Sequence, residues 1–237
     1  MRRNIEEKFA AWKSKKRRKP LVVYGARQIG KTYSIREFGK KHYAKTVYIN
    51  FETSPRIARD FEEDISPAFL IPRLEIFLNQ KIHPEDTLIF FDEIQVCERA
   101  LTSLKYFCEE APQYHVIAAG SLLGVAVNRE RYSFPVGKVE PLYMYPMQFD
   151  EFLSALSQDM LAEEIRNCFL EKRKLSPLLH QQALQLYREY LVIGGMPEAV
   201  SIYAGERSLF DAIQSQSAIL DTYVADMAKY AQPGDTA

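Results

Sequence analysis

The first 145 residues alternate short apolar runs with segments of helical periodicity. Runs such as Leu88–Phe91 contain no polar residue, which is typical of strands that are buried on both faces. Strands of this kind alternating with helices predict an α/β fold, a parallel sheet covered by helices on both faces. The predicted strands are Leu21–Tyr24, Thr46–Phe51, Thr87–Asp92, Tyr114–Ala119 and Val139–Tyr143.

After Pro146 the pattern is helical only. One amphipathic segment begins at Phe149, a second runs from Ala183 to the break at Gly194-Gly195, and a third starts at Leu209. We therefore predict a small all-helical domain behind the sheet. The predicted divisions are a basic entry segment at 1–20, the α/β core at 21–145, the helical domain at 146–205, and at 206–237 the start of a truncated C-terminal region.

Composition narrows the class of protein. The 237 residues are 47% hydrophobic, enough for one good-sized core, and 31 basic residues balance 31 acidic ones, so any affinity for nucleic acid must be local. The longest weakly polar run, Val116–Val127, is too short to span a bilayer, and no secretory signal is visible. Three cysteines lack zinc-like spacing. We expect a cytoplasmic protein without a membrane segment.

The first candidate for chemistry is the stretch Gly25-x-x-x-x-Gly30-Lys31-Thr32, which follows an apolar strand and precedes a helix-competent segment. Such a loop turns its backbone N–H groups toward a polyphosphate, Lys31 reaches the β- and γ-phosphates, and the Thr32 hydroxyl binds Mg²⁺. The alternative is a glycine-rich turn before a solvated lysine. The predicted nucleotide-binding residues here are Gly25, Ala26, Arg27, Gln28, Ile29, Gly30, Lys31, Thr32 and Tyr33.

A second element ends the strand Thr87–Asp92. Ligands of open α/β sheets bind at the carboxyl ends of the strands, so Asp92 is positioned to hold the metal, directly or through water. Glu93 is then the residue expected to polarise an attacking water. Two acids that simply lie at a solvated strand end are the alternative.

Together these stretches resemble a group of prokaryotic P-loop ATPases of the AAA superfamily, in which GARQxGKT is followed by DEIQ and then a Gly-Ser step. The matching stretches are Gly25–Thr32, Asp92–Gln95 and Ala119–Ser121, with further matches at Pro146–Leu153 and Gly194–Pro197. The resemblance implies the AAA strand order and a helical lid. Longer members of that group continue into a domain resembling a restriction endonuclease, which we expect to be absent from this sequence.

The resemblance also implies secondary roles. Ser121 matches the position of a polar sensor of the γ-phosphate or of the attacking water. Gly195 and Pro197 match a lid motif over the nucleotide, although a plain helix-ending turn explains Gly-Gly-x-Pro equally well.

An arginine finger is a further expectation, acting in cis or from a neighbour. Arg129 and Arg131 are candidates by position. Lys138 stands where members of the group often have arginine, and it lacks the forked donor geometry of that side chain. For each of the three, an ordinary surface charge is the alternative.

A basic run precedes the first strand. It has six basic residues in seven positions and is a candidate contact for DNA or RNA phosphates, with a solvated entry segment as the alternative. The residues are Lys13, Lys15, Lys16, Arg17, Arg18 and Lys19.

The leading hypothesis is a Mg-ATP-hydrolysing enzyme that couples hydrolysis to a conformational change. A nucleotide-gated interaction module with little turnover is the alternative, and a small-molecule kinase is a third. Self-association and a protein partner both stay open.

Overall fold

The computed structural model describes the backbone of residues 1–121 and 135–230, with side chains up to residue 225. Contacts within the chain divide it into two compact units. Ile5–Met144 form the sheet unit, and Met1–Asn4 together with Tyr145–Ala237 form the helical unit.

The described part of the sheet unit alternates strands and helices in chain order. Its elements are α1 (Ile5–Lys13), β1 (Leu21–Gly25), α2 (Lys31–His42), β2 (Lys45–Asn50), α3 (Pro55–Glu63), α4 (Pro67–Leu78), β3 (Thr87–Asp92), a 3₁₀ turn (Ile94–Val96), α5 (Glu98–Glu110), β4 (His115–Ser121) and β5 (Glu140–Tyr143).

The five described strands form one parallel sheet in the order β2-β3-β4-β1-β5. The three central strands are buried along their whole length, whereas β2 and β5 lie at the edges and expose alternate residues. A central strand has helices over both faces and strands on both sides, which explains its unbroken apolar run. The predicted α/β fold with a parallel sheet is confirmed. β4 ends two residues later than predicted, because its pairing with β1 continues to Ser121 opposite Gly25.

Helices cover both faces of the sheet. On one face, side chains of β1–β4 pack with α3, α4 and α5 in a single apolar cluster that includes Phe61, Phe91 and Phe107. On the other face α1 and α2 meet, with the rings of Phe9 and Phe38 5.3 Å apart. Burying these large side chains is the main favourable contribution to folding of this unit.

The helical unit contains α6 (Phe149–Ala155), α7 (Asp159–Leu170), α8 (Pro177–Ile193), α9 (Pro197–Glu206) and α10 (Leu209–Tyr230). Phe152, Tyr190 and Tyr203 lie at the centre of its core. Among the helices of the described chain, none combines the length and the apolar character that crossing a bilayer requires.

Glu151 anchors the amino-terminal residues of the chain within the helical unit. Its buried carboxylate accepts hydrogen bonds from Arg3 Nε at 3.0 Å and from the Asn4 N–H at 2.7 Å. The same side chain completes a capping box with Gln148 at the start of α6. Glu151 therefore satisfies backbone donors of a helix start and binds the buried guanidinium of Arg3.

His115 gives the sheet unit an acid-sensitive stability. Burial and the nearby cations Arg18 and Lys13 lower the pKa of His115 to about 4, and Tyr43 Oη lies 2.6 Å from its Nδ1. As the pH falls, the unfolded chain therefore binds a proton at His115 before the folded chain does. The stabilisation that neutral His115 gives the fold is complete above pH ~6.5 and is lost as the pH falls toward the pKa of the folded state, about 4. We expect His115 to account for about 3 kcal/mol of unfolding free energy between those limits.

The measurement is urea unfolding at a series of pH values, followed by the fluorescence of Trp12. Trp12 is the single tryptophan of the sequence and lies 6.1 Å from His115, between ring centroids. His115→Gln should flatten the pH dependence, and substitution of the exposed His83 by Gln should leave it unchanged. Equal pH dependence in both variants would contradict the assignment.

Candidate nucleotide-binding site

Three predicted site residues end neighbouring strands at the same edge of the sheet. Gly25 ends β1, Ser121 ends β4 and Asp92 ends β3, and β4 lies between the other two. Gly25 and Ser121 are direct partners in the parallel register. Parallel strands bring residues that are far apart in the sequence to one edge, where ligands of open α/β sheets bind.

The loop between β1 and α2 has the backbone conformation that its glycines allow. Gly30 has φ 88° at the N-cap of α2, in the left-handed region that favours glycine. Gly25 has no room for a Cβ atom, which would lie 2.3 Å from Ile29 Cδ1 and 2.4 Å from the Met144 carbonyl oxygen. Both glycines are therefore required by the fold of the loop, and the N-terminal end of α2 follows directly after it.

Lys31 lies in the first turn of α2, and only 7% of its surface is exposed. Its ammonium group donates hydrogen bonds to the carbonyl oxygens of Gly25 at 2.9 Å and Ala26 at 2.7 Å. Burial lowers the pKa of Lys31, and the carboxylates of Glu93 and Asp92 oppose that effect. A buried cation is thus held inside the loop with two acidic groups nearby.

Thr32 and Asp92 meet directly. The Thr32 hydroxyl donates to Asp92 Oδ2 over 2.8 Å, and burial raises the pKa of Asp92 although this hydrogen bond and one from Tyr48 lower it. Hydroxyl and carboxylate oxygens are the hard ligands that Mg²⁺ prefers. This pair of oxygen donors, where the end of β3 meets the first turn of α2, fits a magnesium ion.

Glu93 follows Asp92 in an unusual backbone conformation, with φ 50° and ψ 44°. Gln95 lies in the 3₁₀ turn, is itself buried, and donates from Nε2 to Glu93 Oε2. Positive φ is rare for a residue with a long side chain and occurs preferentially at functional sites. The turn after β3 therefore directs the Glu93 side chain, and Gln95 fixes its carboxylate.

Two residues of β2 also belong to this site and were not among the predicted site residues. Tyr48 donates from its hydroxyl to Asp92 Oδ2 over 3.0 Å, and Asn50 Nδ2 lies 3.4 Å from that hydroxyl. The alternation along β2 is the sequence signal, because Thr46, Tyr48 and Asn50 share the face opposite to Val47 and Ile49. Gln95 is the last residue of the Asp92–Gln95 motif, and the sequence alone predicted no role for it.

The remaining predicted loop residues differ in exposure. Ala26 and Gln28 are exposed and Arg27 is half-buried. Tyr33 exposes 54% of its surface beside Thr32, whereas Ser121 is buried at the strand end. Their assignment to the nucleotide stays a prediction.

Lys138, the described finger candidate, is not at this edge. Lys138 pairs with Glu109 at 2.7 Å and lies two residues before Glu140, which is in register with Leu21 at the amino end of β1. Four strand residues, about 13 Å, separate that end from the P-loop. Lys138 therefore fits a finger only if it acts on a neighbouring subunit. Arg129 and Arg131 lie outside the described residues.

The Gly-Gly-x-Pro stretch has a packing role inside the helical unit. Gly194 ends α8 with φ 68°, and Pro197 is the first residue of α9. Gly195 accepts a hydrogen bond from the Met147 N–H at 2.7 Å, and a Cβ on it would lie 2.2 Å from the Met147 carbonyl oxygen. These contacts support the helix-ending alternative. A role of Gly195 and Pro197 at the nucleotide stays a prediction.

Most of the basic run is engaged by the sheet unit itself. Lys15 pairs with Glu140, Arg18 donates to the Lys13 carbonyl oxygen at 3.0 Å, and Lys19 donates to the Gly137 carbonyl oxygen at 2.6 Å. The Lys13 ammonium group lies 4.2 Å from the centroid of the Tyr43 ring and donates to the His42 carbonyl oxygen. Exposed Lys16 and Arg17 are left at the tip.

The geometry agrees with a family comparison. A model described as "AAA domain" matches residues 17–153, more than half of the chain. The chain belongs to the AAA domain family. A model described as a domain of unknown function matches residues 184–237.

The chain is also similar to one curated protein and to two solved structures. An uncharacterized protein of Methanocaldococcus jannaschii, MJ1544, is 27% identical over 182 residues, which cover 76% of this chain and 36% of that protein. The chain thus spans about a third of the length of this curated relative. A Walker-type ATPase of Pyrococcus abyssi, paby2304, is 14% identical with a TM-score of 0.55 over 96% of this chain and 74% of that chain, which shows the shared fold. The Drosophila ORC structure bound to DNA reaches a TM-score of 0.48 at 16% identity, over 90% and 66% of the two chains.

Proposed function

We propose that this AAA domain binds Mg-ATP at the carboxyl edge of its sheet and hydrolyses it. One observation carries the proposal: the Thr32 hydroxyl and the Asp92 carboxylate are 2.8 Å apart beside the buried Lys31, with Glu93 next in the chain. Phosphoryl transfer requires a cation at the phosphates, oxygen ligands for a metal ion and a group that positions the nucleophile. At this edge of the sheet we assign these parts to the buried Lys31, to the oxygens of Thr32 and Asp92, and to the Glu93 carboxylate.

The loop supplies the first part of the function, the holding of the polyphosphate. Its backbone N–H groups and the N-terminal end of α2 favour negative charge at the loop. Lys31 exchanges its hydrogen bonds to the Gly25 and Ala26 carbonyl oxygens for bonds to the β- and γ-phosphates. Because Lys31 is already buried in the loop, little side-chain freedom remains to be lost on binding.

Thr32 and Asp92 would hold the magnesium ion, Asp92 directly or through water. An ion held by these two residues would supply positive charge against the phosphate oxygens. Tyr48 keeps Asp92 oriented through the hydrogen bond to Oδ2.

Glu93 then acts as the general base. It takes a proton from a water whose oxygen attacks the γ-phosphorus, while the bond from that phosphorus to the β,γ-bridging oxygen breaks. ADP leaves with the electrons of the broken bond, and the γ-phosphoryl group leaves as inorganic phosphate. Ser121 would orient the phosphate or the water, a role that its burial at the strand end opposite Gly25 supports.

A finger cation would complete this mechanism. Among the described residues, Lys138 would serve only across a subunit boundary, so we propose self-association or a partner chain as one source of full activity; Arg129 and Arg131, which lie outside the described residues, are the candidates within the chain. The place of Lys138, away from its own P-loop, also supports the second candidate, a nucleotide-gated interaction module that binds ATP with little turnover. Multiple turnovers of Mg-dependent phosphate release by this chain support the ATPase. Tight ATP binding with no phosphate release at any protein concentration supports the module.

Gln95 offers a test of how Glu93 is positioned. Gln95→Met keeps the side-chain length and removes the donor to Glu93, so we expect kcat to fall about tenfold, within the range of a positioned general base, with KM for ATP unchanged. The measurement is steady-state phosphate release. Gln80→Met, just after the end of α4, is the control and should behave as the unmodified protein. An unchanged or raised kcat in Gln95→Met would contradict the positioning role.

We also propose a local contact with nucleic acid near the basic run. Lys16 and Arg17 support it, because both are exposed and neither has an ion pair or hydrogen bond of its side chain within the described part of the chain, while Lys13, Lys15, Arg18 and Lys19 are held by the chain itself. Two charges make a weak contact alone. A stable complex therefore requires a second basic surface.

A further inference from the structure

A groove of about 370 Å³ lies between α2 and the edge strand β2. The P-loop precedes the N-terminal end of α2, whereas the groove lies beside the C-terminal half of that helix. Its polar lining comes from both elements and from the turn between them. These residues are Arg36, Lys40, Tyr43, Lys45, Thr46 and Tyr48.

The groove is positively charged. Arg36 and Lys45 are exposed and have no ion pair within the described part of the chain. The Lys40 ammonium group lies 2.6 Å from Glu37 Oε1 on an exposed surface. An exposed ion pair contributes little to stability, so Lys40 can readily exchange Glu37 for another anion. An acidic residue, Asp86, lies next to Lys45, because its carbonyl oxygen accepts a hydrogen bond from the Lys45 N–H. We therefore assign the attraction of phosphate to the Arg36 side of the groove.

The positive charge continues from the groove to the basic run. Tyr43 lines the groove, and the Lys13 ammonium group lies 4.2 Å from the centroid of its ring. Lys16 and Arg17 follow in the exposed tip of the run. A small anion needs one cluster of donors, whereas this arrangement offers cations spread along a surface. Such a distribution is complementary to an extended polyanion.

We infer that the α2–β2 groove binds the phosphate backbone of a nucleic-acid strand, with Arg36 as its principal contact. The guanidinium of Arg36 can bind a phosphate through two parallel N–H groups, a geometry that lysine lacks. Tyr43 is buried, and Arg36 lies over the Tyr48 ring at 5.1 Å, so the groove offers cations rather than free aromatic faces. Backbone contact without base selection follows from this.

Tyr48 connects the groove to the nucleotide site. Its ring is under Arg36, and its hydroxyl donates to Asp92 Oδ2 over 3.0 Å. A nucleic-acid strand whose phosphate moves Arg36 would therefore act on Tyr48, the hydrogen-bond partner of the Asp92 carboxylate that is proposed to hold Mg²⁺. Coupling between nucleic-acid binding and Mg-ATP binding rests on the proposed function, whereas binding of the nucleic acid to the groove does not.

The test uses the unmodified chain and a fluorescent oligothymidine strand of about 20 nucleotides, with binding followed by anisotropy in the absence of nucleotide. Arg36→Ala should weaken binding about tenfold, the effect of one lost charge-assisted contact, and should reduce the salt slope by about one. The matched control is Arg56→Ala, an exposed arginine of α3 on the opposite face of the sheet, which should bind normally. Lys16→Ala/Arg17→Ala should produce an independent, additive loss.

Tyr48→Phe tests the coupling. In the unmodified chain the nucleic-acid strand should change the dissociation constant for Mg-ATP, and this change should be lost in Tyr48→Phe, which keeps the ring near Arg36 but lacks the hydroxyl that donates to Asp92. Weaker binding of the nucleic acid by Arg36→Ala than by Arg56→Ala supports the groove even if the unmodified chain releases no phosphate. The absence of phosphate release would overturn only the proposed hydrolysis. Equal affinity of Arg36→Ala and Arg56→Ala would overturn the groove. Binding of inorganic polyphosphate or an acidic peptide without binding of the strand would overturn the assignment to nucleic acid.

Discussion

Glu93→Gln lowers the rate of phosphate release from ATP about 100-fold or more, the lower end of what a general base contributes. The amide keeps the shape of the side chain but has no carboxylate to accept the proton of the attacking water. Lys31, Thr32 and Asp92 are untouched, so Mg-ATP should bind as tightly as before. The measurement is Mg-dependent phosphate release beside an equilibrium titration with ATP.

The matched control is Glu98→Gln, which changes the same residue type at the start of α5. It should release phosphate at the rate of the unmodified chain. Unchanged turnover in Glu93→Gln, with the fold preserved, would remove Glu93 from the mechanism. A loss of ATP binding in that variant would mean that Glu93 holds the nucleotide rather than the water.

Lys31→Ala weakens ATP binding about 100-fold, since it removes charge-assisted hydrogen bonds worth about 3 kcal/mol together. The nucleotide-free protein should fold normally, because burial lowers the pKa of Lys31 and so disfavours its charged form there. A buried cation whose removal spares the fold but weakens ligand binding to this extent is a functional group.

Ligand-induced stabilisation measures this difference. At an ATP concentration 100 times its dissociation constant, the unmodified chain gains about 2.7 kcal/mol, whereas a 100-fold weaker variant gains about 0.4 kcal/mol. Lys41→Ala is the control on the last turn of the same helix, where the side chain pairs with Glu6 at the surface. Equal stabilisation of Lys31→Ala and the unmodified chain by ATP would contradict the phosphate-binding role.

The strands show how much of the fold follows from the sequence. β3 was predicted with its observed bounds, because the run Leu88–Phe91 has no polar residue. The ends of β4 were misplaced, since hydrogen bonding to β1 and not local propensity sets where a central strand stops. The order of the strands followed only from the resemblance.

The basic run shows where pattern reasoning overestimates. Six charges in seven positions read as one patch, but four of them bind Tyr43, Glu140 or backbone carbonyl oxygens of the sheet unit. A side chain that is already paired has less to offer to a phosphate. The partners lie more than a hundred residues away in two of those contacts, so no local pattern reveals them.

The sequence by itself determined the P-loop, the acidic strand end and the parallel α/β core, because glycine spacing, strand hydrophobicity and the order of elements are local properties. Only the tertiary structure decided that Tyr48 binds Asp92, that Gln95 fixes Glu93, that Lys138 lies at the wrong end of β1 for its own P-loop, and that α2 and β2 enclose a basic groove. Each of these depends on which strands are neighbours and on the side-chain directions at their ends. Those are set by packing across the whole sheet, which a local pattern does not contain.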